Sequence, residues 1–216
     1  QYSSLSAWRS NEDTNYNALQ VMVRKRMSNG LTFDFNYTWS KSIDLTSENE
    51  RTEQFGSDFN TTGFIINAFD TRQNRSVSDF DTTHSMNANW LWEIPIGHDR
   101  AFFSNSPAWA DALVGGWQVT GIVRATSGFP VSVGNGRIWP TNWNIQGWAT
   151  PLVDVAGETT RLPDGPNLFA NPETALASFT NTRAGQTGGR NIVRGDGFFS
   201  LDFGLGKEFR LPWEGH

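Results

Sequence analysis

The chain contains no cysteine, which excludes a disulfide framework, a thiolate metal site and a cysteine nucleophile. It also lacks an excess of positive charge. Its 17 Lys and Arg stand against 22 Asp and Glu, a formal charge of -5, so the basic footprint of a nucleic-acid partner is missing. Histidine is limited to His84, His98 and His216. No G-x-S-x-G elbow or Ser/His/acid arrangement accompanies them, and neither enzymatic activity nor a cofactor is expected. The longest apolar runs are a few residues, against the roughly 18 that a spanning helix needs. A membrane could then be crossed only by strands. No signal-peptide pattern is visible and the first residue is Gln1, which suggests a piece of a longer protein.

What is present is aromatic. Hydrophobic residues make up only 37% and mean hydropathy is -0.48, yet aromatics reach 13%, with 10 Trp and 16 Phe. Apolar character is thus carried by large side chains scattered among Asn, Thr, Ser and Gly. A barrel with an apolar outside and a polar lumen has this make-up, and so does a soluble β-sandwich with an aromatic core.

Alternation of period two decides the secondary structure. Between Leu31 and Lys41, Leu31, Phe33, Phe35, Tyr37 and Trp39 fall on one face and Thr32, Asp34, Asn36, Thr38 and Ser40 on the other. The same pattern predicts strands at Asn17 to Met27, Ser85 to Ile94, Trp117 to Thr126 and Phe199 to Phe209. About 10 residues is also the length of a tilted membrane-spanning strand. Lys25 and Lys207 place charges on the apolar faces, and both lie near strand ends where a lysine can snorkel. A three-residue loop, Ser28-Asn29-Gly30, with Gly30 left-handed, makes the first two apolar faces agree and sets Arg24 opposite Asp34.

The connections alternate in length: Ser28 to Gly30, Ser42 to Thr83, Pro95 to Gly116, Ser127 to Asp196. This is the barrel rule of short periplasmic turns and long extracellular loops. Two short helices are expected in them. One is capped by Ser106, with Pro107 in its first turn and Gly115-Gly116 at its end; the other covers Asn171 to Phe179. The predicted fold class is all-β, a partial antiparallel transmembrane β-barrel wall of five strands with long extracellular loops. Five strands do not close, so neighbouring wall is expected on both sides.

Four stretches resemble the C-terminal half of TonB-dependent outer-membrane receptors, in the subgroup with an N-terminal carboxypeptidase-regulatory-like domain. They are NYNALQVMVRKRMSNGLTFDFNYTWSKSID (Asn15 to Asp44), SDFDTTHSMNANWLWEIPIG (Ser78 to Gly97), GGWQVTGIVRATSGFPVSV (Gly115 to Val133) and GRNIVRGDGFFSLDFGLGKEFRL (Gly189 to Leu211). One departure is Asp196, where the family's RGxGF stretch has proline. The resemblance implies a barrel of about 22 strands around a plug, with the plug domain absent from this chain. It also implies import of a large nutrient (siderophore, oligosaccharide or peptide) driven by a TonB-type energising complex. Outer-membrane lipid and the rest of the barrel are the implied partners, and the outer membrane of a Gram-negative-type bacterium the implied location.

Arg24, Asp34, Arg124 and Asp202 are the candidate lumen-facing residues. Trp39, Trp90, Trp92 and Trp117 are candidate membrane-interface aromatics. Trp139, Trp143 and Trp148 lie together in the fourth connection. They form either a small core that folds the loop or a platform for stacking sugars or aromatic ligands. Asp79, Asp81 and His84 make a short acidic cluster that reads as a solvated rim more readily than as a metal site. Arg194-Gly195-Asp196 reads as a turn feeding the last strand. A soluble carbohydrate-binding module and a non-transporting barrel, such as an adhesin or assembly factor, are the competing functions.

Overall fold

The structure is a computed structural model that describes residues 13–47, 69–98, 100–134, 148–155, 157, 160–163, 165–182 and 188–209. In chain order the strands are β1 (Asn15–Ser28), β2 (Leu31–Asp44), β3 (Ser76–Val77), β4 (His84–Glu93), β5 (Trp117–Thr126) and β6 (Pro130–Val131). They are followed by β7 (Thr150–Pro151), β8 (Thr160–Leu162), β9 (Gly165–Asn167), β10 (Phe179–Thr180), β11 (Val193–Arg194) and β12 (Phe198–Lys207). Helix α1 covers Ala108–Val114 and α2 covers Pro172–Ala177, with a 3-10 turn at Thr71–Asn74.

Two compact units divide the chain. The wall unit comprises Ala18–Trp39, Thr83–Ser127 and Gly197–His216; the loop unit comprises Gln1–Asn17, Ser40–Thr82 and Gly128–Asp196. The five long strands lie in the order β1-β2-β4-β5-β12, each where the alternation placed it. β2 pairs antiparallel with β4, β4 with β5 and β5 with β12. The registers join into rows: Leu31–Trp92–Val119–Leu205, Phe33–Trp90–Gly121–Phe203, Phe35–Ala88–Val123–Leu201 and Tyr37–Met86–Ala125–Phe199. Successive side chains on a strand point to opposite faces, so all four rows share one apolar face. The interleaved rows Asp34–Asn89–Ile122–Asp202 and Asn36–Asn87–Arg124–Ser200 share the other.

The wall has little core of its own. Phe199, Leu201, Phe203 and Leu205 are all exposed, and every buried hydrophobic residue among those described belongs to the loop unit. One packing detail stands out on the apolar face. A Cβ on Gly121 would meet Trp90 Cζ2 at 2.1 Å, so the indole lies across the glycine of the neighbouring strand.

Local structure departs from the sequence reading at several points. The first hairpin turns on two residues, not the three expected: β1 runs through Ser28 and β2 starts at Leu31, leaving Asn29 (φ 53) and Gly30 (φ 74), both left-handed. Two consecutive positive φ values mark the tight primed turn that suits strand twist, and Asn tolerates the conformation. The Arg24–Asp34 pair expected across this hairpin is present, Arg24 Nε donating to the carboxylate. At α1, Ser106 does not cap. Pro107 holds the N-cap position with no side-chain cap, because the extended backbone at proline delays the helix by one residue. The other helix lies where expected but ends at Ala177, with Phe179 already in β10, and Asn171 Oδ1 accepts from Thr174 N at 3.0 Å.

Candidate functional site

β2 runs past Lys41, where the sequence reading ended it, to Asp44. Its even-numbered side continues through Ser40, Ser42 and Asp44, and all three are buried. The loop unit gathers more chain around them. β3 pairs with the end of β2 (Ile43 with Val77, Asp44 with Ser76), and β11 pairs with β6 (Val193 with Val131, Arg194 with Pro130). The Arg190–Asn191 turn, with Asn191 at φ 56, thereby meets segments far away in sequence.

Arg190 is the centre of this arrangement, only 2% exposed. Its Nη2 donates to the Asp44 carboxylate and, at 3.1 Å, to Asp44 O. Its Nη1 donates to Asp79 Oδ1 at 2.9 Å and to Ser47 Oγ at 3.1 Å, while Nε reaches Asn74 O at 3.4 Å. Asn191 Nδ2 donates to the Asp79 carboxylate and, at 2.7 Å, to Val77 O; Ser132 Oγ donates to Asn191 Oδ1 at 2.9 Å. A second pair flanks the first. Arg194 Nη2 bonds Asp81 Oδ2 at 2.8 Å, and Asp81 Oδ1 accepts from Ser42 N at 2.7 Å.

Burying such charges is costly, and the cost is offset only when geometry and hydrogen bonds are nearly complete. The fork of Arg190 answers two aspartates at once, as a planar guanidinium can. At the surface the 3-10 turn begins beside Asp70, whose carboxyl is held below its ordinary range by the hydrogen bond from Arg72. The lattice holds shape.

This corrects the reading of Asp79 and Asp81 as a solvated rim. Both are buried and paired with arginine, because the two arginines arrive from a segment more than a hundred residues later. His84 takes no part in that lattice. It belongs to the wall unit, where its Nδ1 and the Tyr37 hydroxyl are hydrogen bonded at 2.8 Å. Among the described residues no three His, Asp or Glu side chains are grouped to hold a metal ion. Arg194, first of the Arg-Gly-Asp tripeptide, is held by Asp81 and by Gly128 O.

Sequence reasoning missed Arg190 and Asp44 altogether. The one available signal was the even-numbered polar stripe of β2 continuing beyond Lys41; nothing local marks Arg190.

The tryptophans separate. Trp148 is 1% exposed, inside the loop core that also holds Leu45, Ala149 and Val193. It is a core residue, not an open platform, since its ring has no free face to stack on. Trp139 and Trp143 lie outside the described residues. Close in sequence to Trp148, a cleft of about 540 Å³ is lined by Val133, Ala149, Phe169, Leu176, Phe179 and Asn181. Trp90, Trp92 and Trp117 share the apolar face at the end of the first hairpin, and Trp39 lies on the same face at the other end of β2. Asp34, Arg124 and Asp202 share the polar face through the strand register, and Arg24 Nε donates to the Asp34 carboxylate.

A family model described as "Outer membrane beta barrel domain" matches residues 1–216. Neither the curated proteins nor the solved structures contain a match.

Proposed function

Because the chain belongs to the outer membrane beta barrel domain family and so localises to the outer membrane, we propose that it is wall and extracellular loop of a TonB-dependent receptor importing a large nutrient. The observation that carries this reading is the loop unit. Its long connections are built around a buried Arg190–Asp44–Asp79 lattice, and a loop with a core of its own can present a fixed surface to a ligand. The wall supports it. β4, β5 and β12 are each 10 residues long, which at ~3.4 Å per residue and a tilt of ~45° spans ~24 Å, close to the apolar band of such barrels.

In this reading Arg24, Asp34, Arg124 and Asp202 line the lumen, while Trp39, Trp90, Trp92 and Trp117 sit at headgroup level. The protein is a receptor, not an enzyme, and its plug and TonB-type energising complex act through other parts. The soluble carbohydrate module is set aside, because the family is an outer-membrane one.

The test is growth on siderophore-bound iron, an oligosaccharide or a peptide as sole source, comparing the parent, a deletion of this protein and a deletion of the energising complex. Both deletions should abolish use of the same nutrient. Uptake that persists without the energising complex, or no nutrient affected by the first deletion, rejects the proposal and leaves a non-transporting barrel.

A further inference from the structure

The connection between β4 and β5 carries a set of large apolar side chains that the wall does not use. Phe102, Phe103, Trp109 and Leu113 are 61%, 70%, 71% and 65% exposed. On α1, Trp109, Ala112 and Leu113 stand at i, i+3 and i+4, one face of a helix, and all three are exposed. The only charge on the helix, Asp111, is turned back, its Oδ1 accepting from His98 N. A helix with this apolar face and no cation of its own has little reason to stand in water.

Three hydrogen bonds show which side of the sheet it occupies. Lys207 and Trp117 are register partners on the apolar face. Lys207 Nζ donates to Leu113 O at 3.1 Å and to Gly115 O at 2.6 Å, and Trp117 Nε1 donates to Leu113 O at 3.1 Å. Both side chains leave the apolar face to reach the carbonyl end of α1, so that end lies on the apolar side. There the lysine also satisfies the negative pole of the helix and stacks over the Trp117 ring at 4.7 Å. The helix therefore continues the apolar band of Trp92, Trp117 and Val119, at the end of the wall that carries the tight Asn29–Gly30 turn.

We infer that α1, with Phe102 and Phe103, is an interfacial anchor that lies in the headgroup region of the membrane at the short-turn end of the wall. Its partner is the phospholipid surface. Tryptophan favours that depth, and amphipathic helices lie in its plane. Continuity with the apolar wall of an outer-membrane protein, with Lys207 bridging the two, distinguishes this occupant from a protein partner. The inference rests on the apolar face being the lipid-facing one.

The absence of cysteine makes the test direct. Single variants Trp109→Cys, Ala112→Cys and Phe203→Cys are labelled with an environment-sensitive fluorophore. Each is reconstituted in vesicles of phosphatidylethanolamine and phosphatidylglycerol, and variants keeping heat-modifiable migration are compared. Labels at 109 and 112 should show blue-shifted emission and be quenched more strongly by headgroup nitroxide lipids than by iodide. The label at 203 should respond to nitroxides in the acyl chains. Helix labels quenched by iodide alone, or shielded from both quenchers as by a protein partner, overturn the anchor when the label at 203 reads lipid. A label at 203 that reads water overturns the lipid-facing assignment beneath it.

Discussion

Arg190 supplies five donor contacts from one side chain, four through the fork that separates Asp44 from Asp79. Its loss strands two buried carboxylates, and breaking one side of a buried pair typically costs about 3–5 kcal/mol. Arg190→Ala should therefore expose the loop unit to limited proteolysis while the wall keeps its β circular dichroism. Arg190→Lys should recover only part of the protection, because one ammonium cannot bridge both acids. Gly121→Ala acts elsewhere: its Cβ displaces the Trp90 indole, with an expected cost of about 1–3 kcal/mol in urea unfolding and a shift in tryptophan emission. None of this was visible beforehand at Arg190. An arginine beside glycine and asparagine looks like any surface loop, and its two acids lie 111 and 146 residues away.

Elements were far more legible than contacts. A strand announces itself by alternation, and one side chain in two is enough to fix a face; hence Phe33, Trp90 and Phe203 could be assigned to a common face before their pairing was known. Ends were less clear, because Lys41 interrupts the apolar side of β2 and hides its continuation through Ile43 to Asp44. The Ser106 cap failed for a local reason, the backbone preference of Pro107. Strand pairing offers a direct check in a chain without cysteine. Asn36→Cys with Asn87→Cys, directly opposed on β2 and β4, should oxidise readily, since opposed Cα atoms stand ~4.5–5.5 Å apart. Asn36→Cys with Asn89→Cys should not. At the first turn, Asn29→Gly should be tolerated, whereas Gly30→Val should lower refolding yield. Gly30 is left-handed, and a Cβ there would stand 2.9 Å from Glu93 O.

For the whole molecule, the two faces of the wall make opposite demands. Leu201→Arg places a charge in the apolar row of Phe35, Ala88 and Val123. A midplane arginine on the lipid face costs about 2–4 kcal/mol, which should appear as a lowered urea midpoint for refolding into vesicles. Ser200→Arg, one residue away and on the opposite face, should leave that midpoint nearly unchanged. Equal effects would contradict the assignment of faces.

The buried lattice also dictates an order of events during synthesis. The β1–β2 hairpin closes across two residues and can form as soon as it is made, whereas contacts across long loops must first overcome the entropy of closure. Asp44 and Asp79 have to wait for Arg190, made 146 and 111 residues later. Until then the loop acids remain hydrated and the segment around them open to proteases, so completion of β12 and closure of the loop fall nearly together in time.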